Sequence, residues 1–252
     1  QVRLQCRGTS SVDDDRARVV AALQVRVNSS RLPRKALLPI EGRAMFLRCW
    51  ERLVLCRELD AVVVATSLDP SNDLVEAICE RERIRCVRGG FTDLNVIDRL
   101  VEATERTNAE ALVRVTSDCP MIDPAVVGGV VARWRQDPSL DYVSNVRPGF
   151  RTWPDGLDTE VISGECLLGL RGRIPQDYQE APTRFIWEHP KGFKIVDVRA
   201  TLDLGHLRWV VDEAPDLAFV RWAWPHLPEG FCVGDVLALR EHAPPEMKRR
   251  FP

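Results

Sequence analysis

Lysine is nearly missing from this chain. Four lysines (Lys35, Lys191, Lys194, Lys248) stand against thirty-one arginines, and only Lys35 falls in the first 190 residues. Histidine is scarce too, and His189, His206, His226 and His242 are scattered without ligand spacing, which argues against a zinc site. Among eight cysteines there is no C-x-x-C pair, and Cys49/Cys56 and Cys79/Cys86 fall seven apart on apolar faces. That pattern excludes a disulfide framework or a zinc ribbon and predicts buried free thiols in a reducing cytoplasm. No apolar run approaches the roughly 18 residues of a spanning helix, so no membrane partner is expected. Neither sign of charge dominates: the net charge is −2 with both signs interspersed, which argues against a nucleic-acid partner. The chain also lacks internal repeats, low-complexity tracts and an initiating methionine. Its polar, acidic start around Asp13-Asp14-Asp15 does not read as a signal peptide, and fits a processed product or a piece cut from a longer chain.

What is present is an alternation of β-branched apolar runs with amphipathic segments. Strands are predicted over 19–27, 61–66, 84–88 and 111–116, with helices over 44–57, 72–82, 95–106 and 123–135, the last announced by Asp123-Pro124. Four strand–helix units in succession predict an α/β fold with a mostly parallel sheet and helices on both faces. After 141–146 the rhythm breaks. A Pro/Gly/Trp-rich loop (148–156) precedes a strand at 159–162, a helix from 165, strands at 193–198 and 207–211, a helix from 215 and a closing helix at 233–241. This late part is predicted to form a smaller β-containing lid or dimerisation segment. The organisation expected is a polar extension (1–18) and one domain (19–252), divided into a parallel-sheet core (19–146) and a late lid portion (147–252).

The segment Gln24-Val25-Arg26-Val27-Asn28-Ser29-Ser30-Arg31-Leu32-Pro33-Arg34-Lys35 places Arg26, Arg31 and Lys35, with Arg34 beside them, and two hydroxyls where the first strand hands over to a loop. In open α/β sheets ligands sit outside the carboxyl ends of strands. Cations and backbone N–H groups there suit a polyphosphate, although a solvated basic turn would use the same residues. In a chain that prefers arginine so strongly, a lysine in this loop points to a need for a compact ammonium. Asp118 ends the fourth strand and faces the same edge, where a carboxylate beside phosphates suits Mg²⁺; a turn or cap aspartate is the plainer alternative. Asp212, after Trp209-Val210-Val211, is a second acid at the end of an extended run. Asp155, Asp158 and Glu160 surround a glycine turn, and alternation aims Asp158 and Glu160 to one side. Trp153, Trp187, Trp209, Trp222 and Trp224 read as core or interface residues.

With these residues in view, the chain resembles the cytidylyltransferase family that includes the spore-coat polysaccharide biosynthesis protein F group. The acylneuraminate and 3-deoxy-manno-octulosonate cytidylyltransferases are more distant relatives. The family's opening motif, roughly Q-A-R-x-G-S-S-R-L-P-G-K, matches residues 24–35 at most positions. Five further matches follow in family order: Val63-Val64-Ala65-Thr66-Ser67, the run from Arg114 through Thr116-Ser117-Asp118 to Asp123, Asp141-Tyr142-Val143-Ser144-Asn145, Pro154-Asp155-Gly156-Leu157-Asp158 and Leu207-Arg208-Trp209-Val210-Val211-Asp212.

The resemblance implies a nucleotide-diphospho-sugar transferase-like fold. It also implies Mg²⁺-dependent transfer of CMP from CTP to a sugar, sugar acid or similar hydroxyl or phosphonate acceptor, with release of pyrophosphate. Gln24, Arg26, Asn28, Ser29, Ser30, Arg31, Lys35, Thr66, Ser67 and Thr116 are then expected at the nucleotide, with Arg31, Lys35 and Asp118 catalytic. Asp118 and Asp212 are expected at the metal, and Asp155, Asp158, Glu160 and Glu180 at the acceptor. Relatives often dimerise through the late segment, and the stretch at 222–224 permits a homodimer.

The departures are specific. Asn28 and Arg34 replace loop glycines, Ser117 replaces the glycine before the metal aspartate, and Glu180-Ala181-Pro182-Thr183 lacks the histidine of Glu-His-Val-Thr. Asn28 is expected to keep a left-handed backbone, and Arg34 either to point outward or to add charge to the phosphates. Another nucleotide donor, a glycosyl transferase on the same fold, and a non-catalytic nucleotide-binding module are the competing readings.

Overall fold

A computed structural model describes residues 18–251; the expected polar extension therefore lies outside the described residues, apart from Arg18. The described chain opens on β1 (Val19–Gln24), a 3-10 turn at Lys35–Leu37, and a small hairpin of β2 (Pro39–Ile40) and β3 (Arg43–Ala44) that leads into α1 (Met45–Leu53). Three strand–helix units follow: β4 (Ala61–Thr66) with α2 (Asp73–Glu82), β5 (Cys86–Arg88) with α3 (Val96–Thr107), and β6 (Ala111–Thr116) with α4 (Pro124–Gln136). Then come β7 (Tyr142–Ser144), β8 (Glu160–Ser163), α5 (Gly164–Leu170), α6 (Pro182–Glu188), β9 (Ile195–Asp197), α7 (Ala214–Ala223) and α8 (Val233–Ala238).

Seven strands form one sheet in the order β5-β4-β1-β6-β8-β7-β9. β1 lies parallel to both β4 and β6, whereas β8 runs antiparallel to its neighbours β6 and β7. The sheet is mostly parallel because β1, β4, β5 and β6 each return through a helix. Every residue of β1 is buried, as a doubly covered strand requires. Val19, Ala21 and Leu23 face a core with α1, α2 and α4, built on Phe46, Leu53, Val75, Cys79, Val127 and Val131. Val20 and Ala22 face the opposite core, where Ile97, Leu100 and Val101 of α3 meet Leu167 and Ile186. A third cluster joins Trp209, Val211, Phe219, Val220, Val236 and Phe251 to Ile40 and Met121, and so packs the late segments against the hairpin and the β6–α4 connection. No helix among the described residues is long and apolar enough to cross a membrane.

The predicted strand at 207–211 is not a strand. Its backbone is diverted: Trp209 and Val210 both donate to the Asp155 carbonyl, at 2.6 and 3.0 Å, and Val211 donates to the Asp118 carbonyl at 2.8 Å. One bridge, Asp155 to Arg208, is all the β-pairing this segment makes. β1 ends at Gln24 instead of 27: Val25 N makes the last backbone bond to β4, to Ala65 O at 3.0 Å, and Val27 N turns away to the Asn72 side chain at 2.9 Å. Asp123 does cap its helix, accepting from Ala125 N at 2.8 Å with Pro124 in the first turn. Cys49, Cys56, Cys79, Cys119 and Cys166 are buried free thiols, but Cys232 is exposed where α8 begins.

Candidate active site

The carboxyl ends of β1 and β6 open into a cavity of about 370 Å³. Its wall includes Gln24, Arg26, Ser29, Ser30, Arg31 and Lys35 from the first loop, Thr116, Ser117 and Asp118 from β6 and its turn, and Asp212 from the late segment. Parallel pairing explains the first two contributions, because Gln24 and Thr116 are register partners at the ends of adjacent strands. The third depends on the diverted backbone: Val211 is tied to the Asp118 carbonyl, which leaves Asp212 next to Asp118.

Lys35 joins the three. Its Nζ lies 2.8 Å from Asp118 Oδ2, 2.9 Å from Asp212 Oδ1 and 3.0 Å from the Val211 carbonyl. Arg31 reaches Asp212 Oδ1 at 2.7 Å, and Arg208 holds Asp212 Oδ2 at 2.5 Å. Burial would pull the Lys35 pKa down, but the Asp118 charge and the hydrogen bonds to both carboxylates outweigh it and hold the ammonium above the usual lysine range. Burial likewise opposes the Asp212 carboxylate, yet the hydrogen bonds from Lys35 and Arg208 keep its pKa below the ordinary value.

Arg34 carries the residue-level explanation of the loop. It adopts φ 57°, ψ 27°, the left-handed conformation, at the start of the 3-10 turn that presents Lys35. A glycine would take that geometry freely. The arginine is exposed there. Asn28, by contrast, is not among the residues with positive φ, so the expected left-handed Asn28 is corrected. Its amide nitrogen donates instead to Ser71 Oγ at 3.0 Å and to Asp93 Oδ2 at 3.3 Å, anchoring the loop from below.

Thr66 and Ser67 are also corrected as ligand-contacting residues, because both are fully buried. Ser67 donates to Asp93 Oδ1 at 2.7 Å and accepts from Asn72 Nδ2 at 2.8 Å, so it supports the cavity floor through Asp93. Glu160 is turned away from any acceptor. It is 2% exposed, Arg114 and Tyr142 bind its two oxygens, and β8 seats it opposite Arg114 inside the sheet. Asp155 and Asp158 remain half-exposed and paired with arginine. Arg151 grips Asp158 at 2.7 and 3.0 Å, and Arg208 bonds Asp155 Oδ2 at 2.5 Å. Burial, and then the neighbouring Asp158 charge, raise the Asp155 pKa despite Arg151 and Arg208. Glu180 stands at the cavity rim and pairs with Arg26 at 3.1 Å.

Sequence reasoning missed Asp93, Val96, Arg99 and Arg114 in the wall. Arg99 lies on the buried side of α3 among Val96, Ile97 and Leu100, is 2% exposed, and leaves Nε without a partner. Burial lowers its pKa to about 10. An arginine inside an apolar helical stripe was the available signal.

The profile of the cytidylyltransferase family matches residues 20–152, more than half of the chain. The chain belongs to the cytidylyltransferase family. It is similar to the spore coat polysaccharide biosynthesis protein SpsF of Bacillus subtilis, 27% identical over 70% of this chain and 73% of that protein. It is also similar to the 3-deoxy-manno-octulosonate cytidylyltransferase of Zea mays, 30% identical over 64% of this chain and 54% of that one. In structure it resembles a cytidylyltransferase from Leptospira borgpetersenii, with a TM-score of 0.85 at 23% identity over 92% of this chain and 97% of that chain. A synthetase for CMP-2-keto-3-deoxy-manno-octonic acid, solved with CTP, matches with a TM-score of 0.60 at 20% identity over 83% of this chain and 99% of that chain. These structural likenesses establish the nucleotidyltransferase-like α/β fold.

Proposed function

We propose that this cytidylyltransferase transfers CMP from CTP to a hydroxyl of a sugar acid or a related small acceptor, in a Mg²⁺-dependent reaction that releases pyrophosphate. One observation carries the reading: Lys35, Asp118 and Asp212, remote in sequence, meet at one cavity wall, with the Lys35 ammonium 2.8 Å from Asp118 and 2.9 Å from Asp212. A hydroxyl is a poor nucleophile toward the α-phosphorus, so the site's work is positioning and charge neutralisation. Arg26, Ser29, Ser30 and Arg31 line the side of the cavity suited to the triphosphate. Arg31 and Lys35 supply the cations that steady the charge developing on departing pyrophosphate. Asp155 and Asp158, each already carrying an arginine partner, face the hydrogen-bonding groups of the acceptor.

The residues fit a divalent ion. Two carboxylates already converge on one cation, the Lys35 ammonium, and Mg²⁺ characteristically takes one or two protein carboxylates plus substrate phosphate oxygens. Asp118 and Asp212 would hold it. When bound, the ion polarises the phosphorus and offsets phosphate charge.

The test is to incubate the protein with each of the four nucleoside triphosphates, Mg²⁺ and a broad set of sugars and sugar acids, and to follow pyrophosphate. Release with CTP and a sugar acid is expected. Release with UTP instead, or CTP binding without turnover on any acceptor, overturns the reading.

A further inference from the structure

Lys35 occupies the place that the proposed metal ion needs. Its ammonium has three oxygen partners at 2.8, 2.9 and 3.0 Å, two of them the carboxylates of Asp118 and Asp212. A magnesium ion sits at about 2.0–2.1 Å from its oxygens. The ammonium therefore already occupies Asp118 Oδ2 and Asp212 Oδ1, and a divalent ion drawing on these two oxygens would have to compete with it. Lys35 is held tightly enough for that competition to matter, with its side chain only 15% exposed and Asp212 at 12%.

We infer that Lys35 is an internal counter-ion of the metal acids, and that the triphosphate releases it. The inference rests on the reading of Asp118 and Asp212 as the metal's ligands. Phosphate oxygens draw the ammonium off the carboxylates, and the pair then becomes free for the divalent ion. Nucleotide and metal consequently enter together, and the metal binds weakly before the nucleotide arrives. Only a flexible single-point cation makes this exchange easily. A guanidinium is broader and binds in a fixed fork, which accounts for the lone early lysine in an arginine-rich chain.

Mn²⁺ titration without nucleotide, read by the paramagnetic resonance of the free ion, tests the idea. Wild type is expected to bind Mn²⁺ weakly. Lys35→Met, which keeps the stem and removes the charge, is expected to bind about ten-fold tighter or more, the order set by breaking a partly buried ion pair. Lys35→Arg restores the charge and the weak binding, and adding Asp118→Asn to Lys35→Met abolishes the gain. Equal affinity in wild type and Lys35→Met overturns the inference.

The unaltered protein gives a second measurement. Lys191, Lys194 and Lys248 are exposed and serve as internal references for acetylation, quantified by peptide mass spectrometry. Lys35 is expected to acetylate more slowly than these three, and several-fold faster once millimolar Mn²⁺ is added without CTP. A rate ratio that Mn²⁺ leaves unchanged overturns the inference. Neither measurement uses CTP or an acceptor. A protein inactive in the pyrophosphate assay would still answer both, so the two readings fail separately.

Discussion

Arg208 bonds Asp155 at 2.5 Å across 53 residues of chain, and its other terminal nitrogen bonds Asp212 at 2.5 Å. One guanidinium thus ties the proposed acceptor side of the site to the proposed metal side. Replacing Arg208 by alanine frees Asp212 Oδ2 and leaves the partly buried Asp155 beside Asp158 with less counter-charge. Because Arg208 is 40% exposed, the stability cost is expected near 1 kcal/mol, a melting shift of about 2–4 °C. The pyrophosphate assay is expected to lose more than that shift explains, with turnover down about ten-fold or more, since Asp212 then keeps only the Lys35 and Arg31 contacts on Oδ1 and its carboxylate is no longer fixed in rotation.

Asp118→Asn removes the charge that both Lys35 and the proposed metal meet, while keeping shape. Turnover is expected to fall about 10²–10³-fold, the range for loss of one preorganised electrostatic group. Far-ultraviolet circular dichroism is expected to be unchanged. Wild-type turnover in this variant would remove Asp118 from the metal site.

Arg34→Gly isolates a backbone term. A left-handed conformation costs an L-residue roughly 1–2 kcal/mol, whereas glycine gives back about 0.5–1 kcal/mol through the unfolded chain. The balance favours glycine by about 0.5–1 kcal/mol, read as a slightly higher melting midpoint. Turnover near wild type is expected, because the arginine side chain is exposed.

Gly156→Ala acts in the opposite direction. At φ +112° a Cβ would meet Val210 N at 2.6 Å and the Trp209 carbonyl carbon at 2.7 Å, and both are backbone atoms that cannot yield cheaply. Loss of about 1–3 kcal/mol is expected, together with lower activity, because the same contact sets Asp155 and Asp212 in place.

The thiols give a pH-dependent check. Burial pushes Cys56 and Cys166 up to about 12, so at about pH 8 both are protonated and inert toward iodoacetamide, and they gain reactivity only as pH approaches that value. The Cys79 hydrogen bond, opposed by burial, lowers Cys86, and Cys232 is exposed. Among the described cysteines, peptide mass spectrometry is expected to find label on Cys232 and Cys86 first.

The early fold was legible because each of its strands is a local apolar run closed by a local helix signal, as in Asp123-Pro124. That the loop at 24–35 and Asp118 share one cavity was legible for the same reason: a strand end fixes where the next side chains go. Segment 207–211 misled because its apolar residues satisfy a strand pattern while its donors serve Asp155 and Asp118, which only the folded chain brings near. Glu160 misled similarly. Alternation gave its direction, but not that β8 would insert between two strands and set it against Arg114 and Tyr142. The left-handed backbone fell on Arg34 and not on Asn28 because backbone sign is set by how the loop closes, not by which residue tolerates it best.

The reversed strand β8 also governs how the chain can be divided. It supplies β6 with its outer neighbour, and the stretch that matches the family profile ends at residue 152, before β8 begins. A fragment cut there would leave Ala111, Leu112 and Val113 as an apolar strand with a bare hydrogen-bonding edge, the kind of surface that seeds edge-to-edge aggregation. The stretch matched by the profile is therefore expected to aggregate if expressed alone, because the strand that separates β6 from β7 comes from the chain beyond it.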